Sequence, residues 1–111
     1  MNEQQAVTEE DVTTEAPATS TYTLRRAWSF EGQEVKELDL DFERLTGEDI
    51  ISCERQYMQQ EGASMLFKDA NKEYQAYVVA RAAKVPVELI RALPAKEFSL
   101  VTLRAQRFLL G

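Results

Sequence analysis

Residues 69–111 read DANKEYQAYVVARAAKVPVELIRALPAKEFSLVTLRAQRFLLG, and two prolines, Pro86 and Pro94, divide this segment into three parts. In each part the apolar residues recur every three or four positions, which is the period of an amphipathic α-helix. Pro86 suits the first position of a helix, where its missing N–H costs nothing. Pro94 pushes Leu93 out of helical geometry. The segment therefore predicts three helices that pack on one another: Asp69–Ala83, Pro86–Leu93 and Ala95–Leu110.

Each predicted helix has one apolar face, and these faces are the candidate core. The residues are Ala70, Tyr74, Tyr77 and Val78 in the first helix, Leu89, Ile90 and Leu93 in the second, and Phe98, Val101, Ala105, Phe108 and Leu109 in the third.

Upstream of this segment the period changes from three or four to two, which indicates β-strands. From Thr21 the residues Tyr22, Leu24, Arg26, Trp28 and Phe30 alternate with smaller or polar ones, and Gly32 can supply a turn. A second strand contains Val35, Leu38, Leu40 and Phe42, with a parity slip after Val35 that suggests a bulge or an irregular start. A hairpin alone is not stable in water, so we expect its apolar face, including Trp28 and Phe30, to pack on helices or on another chain's strand.

A further helix is predicted between the hairpin and residue 69. Thr46 can cap a helix that starts at Gly47, and Asp49 stands where a capping box needs a carboxylate. Gly62 is the natural end of this helix. Its apolar face contains Ile50, Cys53 and Tyr57, widened by Ile51 and Met58. Residues 63–68 are then a loop, although Met65, Leu66 and Phe67 are too apolar for full exposure to be expected.

Composition sets the domain organisation. The chain has 111 residues, which is enough for one domain with a small core. Residues 1–20 are rich in Glu, Gln, Thr and Ala with few large apolar groups, so we predict a disordered acidic tail followed by one domain at residues 21–111. The predicted fold class is α+β, a β-hairpin followed by about four helices. The single cysteine, the lack of a basic and apolar leader, and the lack of any apolar run near 20 residues favour a soluble intracellular protein.

Charge is unevenly distributed along the chain. Residues 1–62 contain 5 basic and 15 acidic residues, whereas residues 63–111 contain 8 basic and 4 acidic residues, and the whole chain has a net charge of −6. The helices on either side of Lys84 and Val85 have the outline of a helix-turn-helix in the basic half, so a small DNA-binding regulator is one alternative. The overall negative charge repels phosphates at long range and speaks against it.

The residues offer little for catalysis. There is no histidine, which removes the commonest general base at neutral pH. The four glycines are scattered and form no phosphate-binding loop, and Cys53 is expected to be a small buried apolar group. Asp39 and Asp41 share one strand face, where such pairs are usually solvated. We therefore predict a protein that is not an enzyme, with no catalytic, cofactor-binding or metal-binding residue.

The last predicted helix carries apolar residues on two sides. On a helical wheel, Phe98, Val101, Ala105, Phe108 and Leu109 fall within about 100°, and Leu100, Leu103 and Leu110 fall on the opposite side. Either the helix is sandwiched in the core, or one side faces a partner. For the second case the partner-binding residues are predicted to be Leu100, Leu103, Arg107 and Leu110.

Several sequence motifs resemble those of one family, the phage tail assembly chaperones. They are Phe30–Val35 (FEGQEV), Leu38-x-Leu40, Leu45–Ile50 (LTGEDI), Tyr74–Ala83 (YQAYVVARAA), Val85–Ile90 (VPVELI), Leu93–Phe98 (LPAKEF) and Arg107–Gly111 (RFLLG). The resemblance extends from Tyr22 to Gly111 and departs from the family at Glu97, where an aspartate is common.

The resemblance implies a role during the building of long or contractile phage tails. Proteins of this family bind the tape measure protein, hold it soluble and help to recruit tail tube subunits. The resemblance therefore implies the tape measure protein as a partner, with the tail tube protein as a second candidate, and a location in the host cytoplasm but not in the finished virion. From the residues themselves we predict no nucleic-acid partner, no membrane partner and no cofactor, and the small size of the domain leaves homo-oligomers as an alternative.

Overall fold

The computed structural model describes residues 20–111. Two strands come first and four α-helices follow, which confirms the predicted α+β class. The elements are β1 (Thr21–Phe30), β2 (Gln33–Asp39), a 3₁₀ turn (Phe42–Arg44), α1 (Gly47–Met58), a second 3₁₀ turn (Lys68–Ala70), α2 (Lys72–Ala83), α3 (Val87–Arg91) and α4 (Ala95–Leu110). The predicted tail, residues 1–20, lies outside the described residues except for Ser20, whose hydroxyl donates a hydrogen bond to Asp39 (2.8 Å).

The two strands of the hairpin are antiparallel, and their register shifts once along the ladder. Thr21–Thr23 face Glu37–Asp39, and Trp28–Phe30 face Gln33–Val35. Four residues of β1 separate the two paired blocks, against only Lys36 of β2, so the extra residues lie on β1. The sequence predicted an irregularity here but attributed it to the second strand. The turn is formed by Glu31 and Gly32, both at positive φ, which is the two-residue hairpin geometry that favours glycine.

The bulge in β1 divides the apolar face of the hairpin. Tyr22 and Leu24, before or within the bulge, are buried, but Arg26 is exposed and both Trp28 and Phe30 are only half-buried. These two aromatic residues pack against the core, as expected, but only in part, because the bulge interrupts the apolar face along β1.

Helix α1 begins as the sequence predicted. The Thr46 hydroxyl accepts the Asp49 N–H (3.2 Å) and the Asp49 carboxylate accepts the Thr46 N–H (2.8 Å), which is a capping box. The helix ends at Met58 rather than Gly62. The N–H groups of the next two residues bond to carbonyls three residues back, which tightens and closes the last turn.

Helix α2 is the centre of the fold. It begins at Lys72 and not at Asp69, because the Asn71 side chain accepts the Tyr74 N–H (3.0 Å) and caps the helix there. Every residue from 74 to 80 is buried, so α2 is covered on all sides and α1, α3 and α4 all pack against it. The sequence had predicted only one buried face.

Helices α3 and α4 follow the two prolines. Pro86 is the N-cap of α3, with extended ψ, and not its first helical residue. Pro94 likewise precedes α4, whose bounds, Ala95 and Leu110, are those predicted. On α4 Val101 and Ala105 are fully buried, and Phe108 stacks on Phe42 with ring centroids 5.4 Å apart. Phe42 was predicted to belong to the second strand, but it lies in the first 3₁₀ turn.

Candidate functional site

A buried carboxylate fixes α4 against the hairpin. Glu97, in the first turn of α4, accepts hydrogen bonds from the Tyr22 hydroxyl and from the Arg25 N–H (2.9 Å). The bond from Tyr22, helped by the Arg25 N–H, lowers the pKa of Glu97 below its usual range. Burial and the bond to Glu97 raise the pKa of Tyr22 to about 12, so the hydroxyl stays a donor at neutral pH. One side of α4 is thereby held in place, and the opposite side is left on the surface.

The four predicted partner-binding residues lie along one side of α4, and we call them the α4 outer stripe: Leu100, Leu103, Arg107 and Leu110. Only the last three are exposed. Leu110 is 60% exposed and Leu103 is 37% exposed. Arg107 is also exposed, and within the described part of the chain it forms no ion pair. Leu100 differs from the other three because it is half-buried and packs against the core.

A second apolar surface lies in the loop after α1. Met65, Leu66 and Phe67, which we call the apolar loop, are 47%, 72% and 81% exposed. The expectation that these residues would not be fully exposed holds for Met65, about half of which is covered, but Leu66 and Phe67 are largely exposed. Surface runs of three apolar residues are uncommon in soluble domains unless they serve a function.

The apolar loop has a defined conformation. Phe67 adopts the left-handed region with φ 58°, which is rare for a bulky residue. The Ala70 N–H bonds to the Phe67 carbonyl (3.0 Å), and the Ser64 hydroxyl accepts the Leu66 N–H (3.1 Å). These bonds keep the loop in a geometry that places its apolar side chains in solvent.

Helix α1 anchors both ends of the loop. The Tyr57 hydroxyl donates to the Ser64 carbonyl (3.0 Å) and accepts the Ser64 N–H (3.2 Å). At the other end the Lys68 ammonium lies 3.3 Å from the Glu54 carboxylate and 5.3 Å from the centre of the Tyr74 ring. Because Glu54 and Tyr57 are one turn apart on α1, the loop is held along the side of that helix.

The adjoining outer face of α1 is apolar as well. Ile51, Arg55 and Met58, which we call the α1 outer face, follow one another at four and three residues and are all exposed. They point within about 60° of each other, and Glu54, the anchor of the loop, borders the same face. The sequence had placed Ile51 and Met58 at the edge of the buried side.

Reactive groups are sparse and protected. Burial raises the pKa of the Cys53 thiol to about 11, and its Sγ donates to the Tyr77 carbonyl (3.5 Å), so it is a poor nucleophile at neutral pH. Among residues 20–111 no group of His, Cys, Asp or Glu side chains is arranged to hold a metal ion. No helix in this range is long and apolar enough to cross a membrane.

A groove of about 570 Å³ between α1, α2 and α3 contains charged residues that already form pairs. The Arg81 guanidinium donates to Asp49 (2.8 Å), and Arg44 donates to Asp39 (3.1 Å). The Thr46 N–H, together with Arg81, lowers the pKa of Asp49 below its usual range. Both arginines are already matched by carboxylates, and the other charged residues of the lining, Lys84 and Glu88, are of opposite sign. The groove therefore has no concentration of positive charge for an anionic ligand.

Comparisons with protein-family models, curated proteins and solved structures gave no match. The candidate surfaces therefore have to be judged on their own geometry. The helical wheel pointed to Leu100, Leu103 and Leu110, of which Leu100 packs against the core. If both sides of α4 proved to be core, the next candidate from the sequence was the apolar loop. Its signal was present in the sequence as three consecutive apolar residues between Gly62 and the next helix.

Proposed function

We propose that this chain is a tail assembly chaperone of the kind found in long-tailed phages. It binds the tape measure protein through the α4 outer stripe, keeps it soluble while the tail is built, and catalyses no reaction. Tail tube subunits and further copies of the chain are additional candidate partners. It acts in the cytoplasm of the host and is absent from the mature virion.

The observation that carries the proposal is the exposed side of α4. Leu103 and Leu110 are one i, i+7 step apart on the last helix, with Arg107 between them. An apolar stripe of this kind can pack against the apolar face of an amphipathic helix in a partner protein. The opposite side of α4 is fixed by Glu97 and Val101, so the stripe is available without unfolding the domain.

The charge of the chain also suits a holding role. A chaperone that exposes apolar surface has to remain soluble itself, and a net charge well away from zero opposes self-association. The net charge here is −6. Apolar surface then captures the client, and the charge keeps the complex in solution.

The geometry of α2 and α3 favours protein binding over the DNA-binding alternative. In a helix-turn-helix, residues at the front of the second helix contact the bases. Here that helix, α3, has five residues, and Glu88 stands in its first turn, where it would repel DNA phosphates. A gel shift on random duplex DNA at several salt concentrations is expected to show no complex.

The direct test is co-expression with the tape measure protein, scored for a soluble complex. Changing Leu103→Ser together with Leu110→Ser is expected to abolish the complex while lowering the unfolding free energy by about 1–2 kcal/mol, most of it from Leu103, which is 37% exposed and so still partly covered. The matched control is Leu103→Met with Leu110→Met, which keeps the stripe apolar and should keep the complex. An intact complex with the serine variant would contradict the proposal.

A further inference from the structure

We propose that the apolar loop and the α1 outer face together form a second docking surface, and that its occupant is an amphipathic helix of a protein partner with a carboxylate among its apolar residues. We call this the loop surface. The inference rests on the proposed function in one respect only, namely that the occupant is a protein helix.

The loop surface is held ready for binding. The left-handed Phe67 and the bonds from Tyr57 and Ser64 fix the loop before any partner arrives. Strained backbone of this kind persists only when its surroundings enforce it, and it is concentrated at functional sites. A rigid, exposed aromatic residue is also the usual anchor of a protein interface, because little conformational entropy is lost when it is buried.

The charge pattern of the loop surface indicates the chemistry of the occupant. Arg55 stands between Ile51 and Met58 and forms no ion pair with any residue from 20 to 111. The same order, apolar, arginine, apolar at four and three residues, recurs on α4 as Leu103, Arg107 and Leu110. A guanidinium that is covered by a partner needs a carboxylate, which it can bind through two hydrogen bonds. An acidic amphipathic helix supplies both the apolar side chains and that carboxylate.

Two other occupants fit less well. A second copy of this chain could pack its own loop surface or its α4 outer stripe on the loop surface. Arg55 would then face another Arg55 or Arg107, and like charges across an interface are unfavourable. The chain's own residues 1–19 carry carboxylates, but their only large apolar residues are Met1, Val7 and Val12. Spaced by five or six positions, these three cannot form one stripe on a helix.

The test uses a synthetic helical peptide with leucines at i, i+4 and i+7 and glutamates beside them, labelled for fluorescence anisotropy. A sister peptide has lysine in place of every glutamate. The protein is the full chain carrying Leu103→Ser and Leu110→Ser, so that binding to the α4 outer stripe does not contribute. We expect the glutamate peptide to bind and the lysine peptide to bind at least about tenfold more weakly.

Two further variants locate the site. Leu66→Ser with Phe67→Asn should weaken binding of the glutamate peptide by about tenfold or more, as loss of an interface anchor does. Asparagine tolerates the left-handed backbone better than phenylalanine, so the urea midpoint should not fall. Arg55→Glu should reverse the preference between the two peptides. The matched control is Arg26→Glu, at another exposed arginine that forms no ion pair with residues 20–111, and it should not reverse the preference.

The inference is overturned if neither peptide binds, if the loop variant binds like its parent, or if Arg55→Glu behaves like Arg26→Glu. It is also overturned if light scattering shows a dimer that the loop variant converts to a monomer, since the occupant would then be a second copy. Failure of the proposed function gives a different result. In that case the tape measure protein forms no soluble complex, whereas the peptide still binds the loop surface.

Discussion

Replacing Glu97 by glutamine tests how the hairpin is attached to the helices. Glu97 is buried, and its two carboxylate oxygens accept separate donors from β1, the Tyr22 hydroxyl and the Arg25 N–H. The Arg25 guanidinium also lies 3.6 Å from the Glu97 carboxylate. Glutamine has nearly the same shape, and its amide oxygen can accept the Arg25 N–H while its amide nitrogen donates to the Tyr22 hydroxyl oxygen. Both contacts can then persist, but neither involves a charged group.

The expected loss follows from these bonds. A hydrogen bond to a charged group contributes about 1.5–3 kcal/mol, against about 0.5–1.5 kcal/mol for one between neutral groups. Both bonds lose their charged acceptor at about 1 kcal/mol each, so Glu97→Gln should lower the free energy of unfolding by about 2 kcal/mol at pH 7. The matched control is Glu48→Gln, an exposed carboxylate in the first turn of α1. Glu48→Gln should lower the free energy of unfolding by no more than the favourable interaction of this carboxylate with the helix dipole, about 0.3–1 kcal/mol.

The assay is a urea titration followed by far-UV circular dichroism at several pH values. The pKa of Glu97 is lowered in the folded state, so its stabilising contribution is complete above its unfolded value of 4.5 and is lost as the pH falls through the folded pKa. The unfolding free energies of the wild type and Glu97→Gln should therefore differ by a constant gap from neutral pH to about pH 5, and this gap should narrow at lower pH. The pKa values of Asp39 and Asp49 are also lowered, but both proteins contain these residues and their effect cancels in the difference. A gap below about 0.5 kcal/mol at pH 7, the size of an ordinary surface effect, would refute the reasoning.

Three other perturbations have defined outcomes. Asn71→Ala removes the cap of α2 and should cost about 1 kcal/mol in a urea melt, with a smaller effect if serine replaces the asparagine. Trp28→Ala should cost about 2 kcal/mol, below the 3–5 kcal/mol of a fully buried tryptophan, because the side chain is only half-buried; a loss within the full range would mean that the indole is covered. Removing residues 1–19, which contain five acidic and no basic residues, should leave the melting temperature within a few degrees of the intact chain; a larger fall would show that they pack on the domain.

The helical part of the fold was predictable because local signals agreed with one another. The bounds of α4 followed from Pro94 and an uninterrupted apolar period, and the start of α1 followed from the Thr46 capping box. The start of α2 was misplaced by three residues because Asp69 and Asn71 are both plausible caps. Only the three-dimensional course of the preceding 3₁₀ turn leaves Asn71 to bond the Tyr74 N–H.

The burial of individual residues was less predictable, because it depends on which elements meet. Seven consecutive residues of α2 are buried, and no periodicity of a single helix reports that it is covered from all sides. The buried polar group Gln75 shows the same limit. Its amide donates to the Asp69 carbonyl (2.8 Å) and to Gln106 of α4 (2.9 Å), two partners that are far apart in the sequence. A polar residue of this kind is assigned to the surface until its partners are known.

The exposure of the apolar loop shows where a rule based on apolar burial fails. The expectation that Met65, Leu66 and Phe67 would be covered rested on the cost of leaving apolar surface in water. Folding alone would remove that cost, since a relaxed loop could bring Phe67 back onto the domain. The bonds from Tyr57, Ser64 and Lys68 instead hold the loop in its exposed form, with a left-handed Phe67 as an added penalty. The exposed apolar side chains and the left-handed backbone at Phe67 are both unfavourable, and they occur together in one well-anchored segment. A partner that covers this segment is the simplest explanation for both. The loop surface is therefore where binding, and not stability, best accounts for the choice of residues.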